Sequence, residues 1–355
     1  MQYNKLGTSG LKVSQISYGN FINSADGSND LSNQLVKAAW DAGVNFFDTA
    51  EGYDNGMGEH QLGVALKNLN VSRDQLVVAT KIFFGGDFPT MKTFNPTMNI
   101  QENQVGTSRK HLIQGLKKSL ENLQMDYVDV VFCHRYDNET PTEEVCHAMK
   151  VILNKGMALY WGTSMWPPQR ILEAIYICDK IDCPRPIAEQ CEYSLMKRDY
   201  VEYDCDMLLE EYGLGTTTWS PVMGGFLSGK YNDGKIPEAA RFNNPMLKMK
   251  YFDPYFGAPE KAEKTIAMLN KYKDFCENKM GCTMAQFAIA WVCKYKHTST
   301  CLIGATGLDM LTSNLKAIQV ISKITTEVEK EVELIFGSKP KAQLNWGKPN
   351  PDKRW

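Results

Sequence analysis

Four polar residues stand near the ends of apolar segments and share a chemistry. Residues 45–56 read NFFDTAEGYDNG, in which a short apolar run ends at Asp48 and Tyr53 follows. The run LVVAT at 76–80 is followed by Lys81, and VDVVFC at 128–133 is followed by His134. An acid, a phenol, an amine and an imidazole therefore occur at matching positions of three successive segments.

These residue types are suited to delivering a proton to a carbonyl oxygen. The pKa of a free tyrosine is about 10, and a nearby ammonium ion favours the phenolate and lowers that pKa. An aspartate paired with the lysine keeps the ammonium charged, and the imidazole can orient a carbonyl group. None of these side chains can donate a hydride, so we expect a nicotinamide cofactor to supply it.

Each residue alone also has an ordinary structural interpretation. Tyr53 lies in YDNG, and Asn-Gly is a strong turn signal. Lys81 could extend to solvent from the rim of a sheet, and a single histidine is often a hydrogen-bonded structural residue. Hydrolysis by an acid pair, Asp48 and Glu51, would leave the lysine and the histidine without a role. The joint placement of the four residues favours carbonyl chemistry.

The elements that must position these residues are strands alternating with helices. Eight short apolar or β-branched segments are each followed by a stretch with helical periodicity, and further helices are predicted near 258–279 and 283–296. This alternation predicts a parallel sheet covered by helices. The predicted strands are 16–22, 45–51, 76–83, 127–134, 158–164, 186–193, 214–221 and 300–307.

Eight such units predict an α/β fold, a (β/α)8 TIM barrel in a single domain with long active-site loops. The competing architecture is an open doubly wound sheet, but no G-x-G-x-x-G follows the first predicted strand. We expect the barrel to span residues 1–340 and the Pro- and Lys-rich residues 341–355 to form a C-terminal tail. The loop at about 85–107 is unusually long, which is typical of functional or mobile loops.

The composition argues against several classes of function. A formal net charge of −2 and a pI near 6.3 give no general attraction to nucleic acid or to an anionic membrane. The N-terminus lacks the apolar region of a signal peptide, and no apolar stretch is long enough to span a bilayer. We therefore expect a cytoplasmic protein without direct membrane insertion. The 10 cysteines include no C-x-x-C pair, which indicates reduced, mostly buried thiols and no metal site.

The motifs resemble those of the aldo-keto reductase superfamily over nearly the whole chain. DTAEGYDNG at 48–56, ATK at 79–81 and VVFCHRYD at 130–137 match its Asp-Tyr-Lys-His tetrad. Within that superfamily, the chain is similar to the β subunits of voltage-gated potassium channels and their microbial relatives. The supporting stretches are SRKHLIQGLKKSLENLQMDYVDVVF, NKGMALYWGTSMW, EQCEYSLMKR, WSPVMGGFLSGKY, GCTMAQFAIAWV and GATGLDMLTSNLKAIQV.

The resemblance implies a role for each matching residue. Tyr53 would donate the proton, Lys81 and Asp48 would tune its acidity, and His134 would orient the carbonyl. Lys230 and Arg241 match positions that meet the 2′-phosphate, which implies NADP(H) rather than NAD(H), because a dianionic phosphate suits a lysine and an arginine. The other implied dinucleotide contacts are Ser164 and Gln190 at the carboxamide, Trp219 on the nicotinamide ring, Ser220 and Val222 along the molecule, and Gly304, Thr306 and Asn314 near the adenosine.

The sequence also departs from the channel β-subunit pattern. Those subunits typically carry asparagine where this chain has His134, a histidine that active reductases share. Met165 replaces an arginine, and Met310 and Ser313 replace a glutamine and a glutamate on the adenosine side. A second pattern, GGFLSGKY at 224–231, nearly matches the phosphate loop of nucleotide hydrolases, but a tyrosine stands where the magnesium-binding hydroxyl belongs. We expect its glycines to let backbone amides approach a pyrophosphate.

The sequence thus predicts an NADP(H)-dependent aldo-keto reductase that transfers hydride to an aldehyde or ketone. Phe21 and Phe84 occupy positions where the family often has tryptophan, and both could line the substrate pocket. The alternative is a cofactor-binding regulatory subunit that reports redox state to a membrane channel with slow turnover. His134 and the lack of a long segment before the barrel favour the enzyme. The resemblance also implies a homotetramer.

Overall fold

The barrel predicted from the sequence is present and closed. The computed structural model describes residues 1–21, 29–85, 102–238 and 240–341. An antiparallel hairpin of β1 (Tyr3–Lys5) and β2 (Lys12–Ser14) precedes eight parallel strands that pair in chain order, the last with the first. The barrel strands are β3 (Ile16–Gly19), β4 (Phe46–Asp48), β5 (Val77–Ile82), β6 (Val128–Cys133), β7 (Ala158–Ser164), β8 (Ala188–Glu192), β9 (Gly215–Trp219) and β10 (Thr298–Ile303).

Helices cover the outside of this barrel, as expected for parallel strands joined by crossovers. Polar side chains cap several of them: Ser108 accepts from the His111 N–H, and Thr283 and Gln286 form a capping box. The helices are α1 (Asn29–Asp41), α2 (Met57–Asn68), α3 (Arg109–Leu123), α4 (Thr142–Asn154), α5 (Pro168–Ile181), α6 (Asp206–Glu210), α7 (Pro245–Leu247), α8 (Asp253–Phe256), α9 (Pro259–Asp274), α10 (Met284–Lys294), α11 (Leu308–Leu315) and α12 (Thr326–Phe336).

Apolar side chains form two separate cores. The larger core lies between the sheet and the helices. The smaller one fills the barrel interior and consists of Leu6, Val13, Phe46, Val77, Ala79, Val130, Phe132, Ala188 and Leu302. Burial on both faces explains why the strands read as nearly continuous apolar runs.

The N-terminal hairpin closes the end of the barrel at which the strands begin. It contributes Leu6 and Val13 to the interior core, and Asn4 Nδ2 donates to the Ser299 carbonyl at 3.0 Å. Gly7 has φ of +59°, and a Cβ there would lie 2.6 Å from the Ile187 carbonyl oxygen, so only glycine fits this approach. The sequence reasoning did not predict this hairpin.

The predicted strand order is confirmed, and most differences are at the boundaries. Seven of the eight observed strands lie within their predicted ranges, whereas β10 begins at Thr298, two residues before the predicted 300. The strand predicted at 45–51 ends at Asp48, since Thr49 and the residues after it turn into the loop. Most of the long loop predicted at 85–107 and nearly all of the tail predicted at 341–355 lie outside the described residues.

Candidate active site

Strand geometry places the predicted tetrad at one end of the barrel. Phe46 on β4, Ala79 on β5 and Phe132 on β6 belong to the interior core. The side chain two positions further along each chain faces the same interior, one layer closer to the mouth, because strand side chains alternate between faces. Those side chains are Asp48, Lys81 and His134. The carboxyl ends of the strands, where barrel chemistry is located, therefore carry these three groups.

Lys81 is the centre of the site. It has no exposed surface, and its Nζ donates to Asp48 Oδ2 at 2.5 Å, to the Thr49 carbonyl at 2.6 Å and to Tyr53 OH at 3.1 Å. An ammonium group has three protons, and these three acceptors use all of them. Because the ammonium group can only donate, the phenol oxygen accepts from Lys81, and the phenol proton is not used in this contact.

A left-handed turn brings Tyr53 back over the end of β4. Asp54, Asn55 and Gly56 have φ values of 50°, 55° and 84°, a conformation that these residue types tolerate better than most. The turn allows the Gly58 N–H to donate to the Tyr53 carbonyl at 3.0 Å. The Asn-Gly turn signal is therefore correct, and the turn positions the tyrosine instead of excluding it from the site.

Burial and charge oppose each other in setting the ionisation of the site. Burial lowers the pKa of Lys81, but the charges and hydrogen bonds of Asp48 and Tyr53 together outweigh this, so the pKa of Lys81 is raised and the amine is charged. Burial raises the pKa of Tyr53, and the Lys81 charge only partly offsets it. The sequence reasoning expected the lysine to lower the tyrosine pKa. That contribution is present, yet the net direction is upward, so the phenol keeps its proton at neutral pH.

His134 and two aromatic side chains surround the phenol. The His134 ring centroid lies 6.1 Å from that of Tyr53 and 5.0 Å from that of Phe84, both in edge-to-face arrangements. Phe21 lies 4.9 Å from Tyr53. Burial lowers the pKa of His134 well below its usual value, and the charges of Lys81 and Arg135 lower it further. A neutral imidazole offers one N–H donor, which suits a carbonyl oxygen.

The predicted nicotinamide contacts adjoin this tetrad. Ser164 and Gln190 are register partners on β7 and β8, and Gln190 Nε2 donates to Asp48 Oδ1 at 3.0 Å. Arg135 Nη1 donates to Ser164 Oγ at 3.3 Å. Trp219 ends β9, with the Lys250 ammonium 4.8 Å from its ring centroid. The structure thus brings the predicted carboxamide residues to the tetrad.

Arg135 is a site residue that the sequence reasoning missed. Besides its bond to Ser164, its guanidinium lies 5.7 Å from the Phe84 ring centroid. It therefore joins the predicted nicotinamide side to the predicted substrate side. Its position directly after His134, at the end of a barrel strand, is the signal that could have identified it.

Two cations lie near each other after β9, where the resemblance implies the 2′-phosphate. Although much of Lys230 is exposed, its ammonium group is partly buried, and this partial burial and the charge of Arg241 lower its pKa. Burial also lowers the pKa of Arg241. A Cβ on Gly225 would lie 2.9 Å from Lys230 Cε, so the glycine lets the lysine cross the loop. Lys230 and Arg241 are thus close enough for the charge of Arg241 to affect the ionisation of Lys230.

The same loop is not a phosphate loop of the hydrolase type. Residues Met223–Ser228 form short 3₁₀ turns, with positive φ at Gly224 and Gly225. Lys230 continues into a turn, and Tyr231 stacks on Phe242 with ring centroids 4.5 Å apart. A phosphate loop needs a helix at this point, so the near match is accidental.

The remaining predicted cofactor residues follow β9 and β10. Ser220 has φ of +56° directly after Trp219. Gly304 and Thr306 lie between β10 and α11, and Asn314 lies near the end of α11. Gln286 Nε2 donates to the Ser313 carbonyl at 2.9 Å, which ties α11 to α10. These residues follow the carboxyl ends of β9 and β10, which is the end of the barrel that carries the tetrad.

Two buried carboxyl groups brace the loops around the site, and neither was predicted as such. Glu51 Oε1 accepts from the Phe83 N–H at 2.6 Å and the Gly85 N–H at 3.0 Å, and Oε2 lies 3.1 Å from His111 Nε2. Burial raises the pKa of Glu51 to about 8 and lowers that of His111 to about 4. Glu51 therefore fixes the backbone on both sides of Phe84.

Glu189 braces the nicotinamide side in the same way. It accepts from Thr163 Oγ1 at 2.5 Å, from Tyr200 OH at 2.9 Å and from the Met165 N–H. Met165 has φ of +53°, an unfavourable conformation for this residue type. Burial raises the pKa of Glu189 to about 7. These contacts fix the backbone directly after Ser164.

Comparison with known proteins agrees with this geometry. The model of the aldo/keto reductase family matches residues 15–335, and the chain belongs to that family. Proteins named "Probable voltage-gated potassium channel subunit beta" from Oryza sativa subsp. japonica and from Arabidopsis thaliana are 42% and 40% identical to it over 344 residues. Each alignment covers 96% of this chain and 98% of the relative.

Membership of the aldo/keto reductase family defines the class of the protein. It is an oxidoreductase of a family that generally binds NAD(P)H and acts on small carbonyl compounds. No helix in the described parts of the chain is both long and apolar enough to cross a membrane.

Proposed function

We propose that the protein is an NADP(H)-dependent reductase of aldehydes or ketones, with Tyr53 as the proton donor. The observation that carries this proposal is the contact of one buried ammonium group, Lys81 Nζ, with both the Asp48 carboxylate and the Tyr53 phenol. The bound reduced nicotinamide supplies hydride to the carbonyl carbon. The residues of the chain supply the proton, the orientation and the charge stabilisation.

Each tetrad residue has one task in this proposal. Tyr53 transfers its phenolic proton to the carbonyl oxygen as negative charge develops there. Lys81 stabilises the phenolate that remains, at the 3.1 Å contact already present. Asp48 holds the ammonium in place and keeps it charged. The neutral imidazole of His134 donates a hydrogen bond to the same carbonyl oxygen and orients it.

The donor set at the mouth fits a phosphorylated nicotinamide dinucleotide. Ser164 and Gln190, side by side on adjacent strands, offer a hydroxyl and an amide to a carboxamide. The charge of Arg241 lowers the pKa of Lys230, so the two cations are close to each other, and such a pair suits a dianionic phosphate. We propose that the latter pair selects NADP(H) over NAD(H).

The Lys230→Ala variant tests the cofactor assignment. Removal of a charge-assisted contact of roughly 1.5–3 kcal/mol should weaken NADPH binding by about 10- to 100-fold and leave NADH binding nearly unchanged. Dissociation constants for both cofactors can be measured by quenching of tryptophan fluorescence. Lys235→Ala, which removes an exposed lysine of the following loop, is the matched control. Equal weakening of both cofactors would contradict the 2′-phosphate assignment.

The reaction itself is tested by following NADPH absorbance with purified protein and a panel of aldehydes and ketones. We expect many turnovers per active site with at least one carbonyl class. Tight NADPH binding without multiple turnover on any member of the panel would contradict the proposed enzyme.

A second candidate function follows from the relatives. Both plant proteins are named as potassium channel β subunits, so a cofactor-binding regulatory subunit of a membrane channel is the alternative. A single slow oxidation of bound NADPH, without further cycles, would favour it. For either function we propose a cytosolic homotetramer, and sedimentation equilibrium would test that state.

A further inference from the structure

The turn that ends α9 brings two cysteines together. A π-helical turn, Phe275–Met280, continues the helix, and Gly281 follows with φ of +62°. The Cys282 N–H donates to the Cys276 carbonyl at 3.0 Å, six residues earlier. The bond is one residue longer than the 6→1 bond of a Schellman helix end because the last turn is π-helical, and at such ends the residue after the left-handed glycine often contacts a side chain of the last turn. Here both side chains carry thiols, and the thiols lie within hydrogen-bonding reach.

The two thiols differ in exposure and in ionisation. Cys276 is fully buried, whereas Cys282 is partly exposed and the other nine cysteines are buried. The hydrogen bond from Cys276 and the charge of Lys323 lower the pKa of Cys282. Burial raises the pKa of Cys276. Lys323 is held beside the turn, where its Nζ donates to the Met280 carbonyl at 3.3 Å. The exposed thiol is therefore the more readily ionised one.

The other cysteine contacts provide an internal comparison. Cys178 lies within hydrogen-bonding reach of both Cys146 and Cys183, and Cys293 lies within reach of Cys301. All five are buried, and the contact with Cys146 raises the pKa of Cys178, as the contact with Cys301 raises that of Cys293. Thiol proximity is thus shared by three groups, but solvent access is specific to Cys282.

We propose that Cys282 and Cys276 form a reversible oxidative modification site that closes to a disulfide when the protein meets a hydroperoxide. The Cys282 thiolate attacks one peroxide oxygen, which breaks the O–O bond, forms a sulfenic acid and, for hydrogen peroxide, releases hydroxide. The Cys276 thiol then attacks the Cys282 sulfur and displaces water, which forms the S–S bond. Two thiols are oxidised and one peroxide is reduced. A dithiol such as dithiothreitol reverses the reaction.

Trypsin gives a direct test, because Lys279 lies between the two cysteines. Cleavage there places Cys276 in a peptide of residues 274–279 and Cys282 in one of residues 280–294. After treatment with a small molar excess of hydrogen peroxide and alkylation, we expect these peptides to be joined, with the loss of two hydrogens. Dithiothreitol should separate them again. Fragmentation of the joined peptide distinguishes Cys282 from Cys293 within residues 280–294.

Two variants extend this test. In Cys276→Ser, the sulfenic acid has no neighbouring thiol, so dimedone should label Cys282 and no joined peptide should form. Cys293→Ser, which disrupts a fully buried contact, should leave the joined peptide unchanged. The peptide mapping of the protein without substitutions does not depend on whether either variant folds. Oxidation first at Cys178 or Cys301, or oxidised Cys282 with Cys276 still alkylated, would overturn the proposal.

Discussion

Two ion pairs lie at opposite ends of β5, and each joins this part of the chain to a neighbouring strand. They have different roles. At the mouth, Lys81 at the end of β5 contacts Asp48 of β4. At the base, Arg73 just before β5 contacts Asp129 of β6 at 2.7 Å. The Asp129 carboxylate also accepts from the Val78 N–H at 2.8 Å. Both pairs join a cation to a largely buried carboxylate, yet only one is placed to act in a reaction.

The two ion pairs differ in the other groups that each cation contacts and in the face of the sheet on which each pair lies. Arg73 makes its other bonds to the Leu76 and Tyr127 carbonyls, which are fixed backbone groups. Lys81 instead reaches a phenol that carries a transferable proton. Asp129 alternates with the interior residue Val130 and so faces the helices, whereas the mouth pair faces the barrel axis. A buried ion pair is thus catalytic or structural according to what else the cation touches.

The largest effect should come from removing the mouth cation. Lys81→Met leaves Asp48 buried with Gln190 as its remaining side-chain donor, so we expect about 3–5 kcal/mol of destabilisation and a loss of turnover of about 10³-fold. Adding Asp48→Asn should restore part of the stability and none of the turnover. Urea unfolding and steady-state kinetics measure the two effects separately. Recovery of turnover in the double variant would contradict the role of the ammonium group.

The matching change at the base should affect stability alone. Arg73→Met leaves Asp129 with the Val78 N–H, and we expect about 1–3 kcal/mol of destabilisation, because the arginine is partly exposed. Turnover per folded molecule should stay within about twofold, since no atom of this pair lies near the tetrad. Urea unfolding with active-site titration provides the measurement. A large fall in kcat at unchanged NADPH affinity would contradict the purely structural role of the Arg73–Asp129 pair.

A smaller, pH-dependent effect is expected at Glu51, which braces the mouth without a permanent charge. Its pKa is raised by burial from 4.5 to about 8, so the folded state holds a proton that the unfolded chain releases. The associated stability is fully present below about pH 4.5 and is lost as pH rises to about 8. Glu51→Gln cannot titrate and should become relatively more stable across that interval.

Urea unfolding of both proteins at pH 5, 6.5, 8 and 9 measures this difference. His111, which also titrates in the acid part of the range, is present in both proteins and contributes to both curves. A difference between the two free energies of unfolding that does not change with pH would show that Glu51 is ionised throughout.

Much of the fold and the centre of the site could be predicted from the sequence, because both follow from local periodicity. The eight apolar segments predicted the barrel, and their ends indicated Asp48, Lys81 and His134 as site residues. The bond from Gln190 to Asp48 could not be derived, since it joins residues 142 positions apart. The N-terminal hairpin was missed because its strands have only three residues each.

The net direction of the Tyr53 pKa was also beyond sequence reasoning. The sequence names the charged neighbour, Lys81, but not the depth at which the phenol is buried, and burial decides the direction here. The bracing contacts of Glu51 and Glu189 were missed for a related reason. Their partners are mostly backbone N–H groups and hydroxyls of other segments, which leave no pattern along the chain.

The most direct test of the central claim is the Tyr53→Phe variant, which removes one oxygen atom from the site. We expect NADPH affinity to remain nearly unchanged, because the ring packing against Phe21 and His134 is preserved. Stability should fall by about 1–3 kcal/mol, because the buried Lys81 ammonium loses one acceptor. Turnover with the best carbonyl substrate should fall by roughly 10²- to 10⁴-fold, since the proton donor is lost. A Tyr53→Phe protein that binds NADPH and turns over at the original rate would contradict the account.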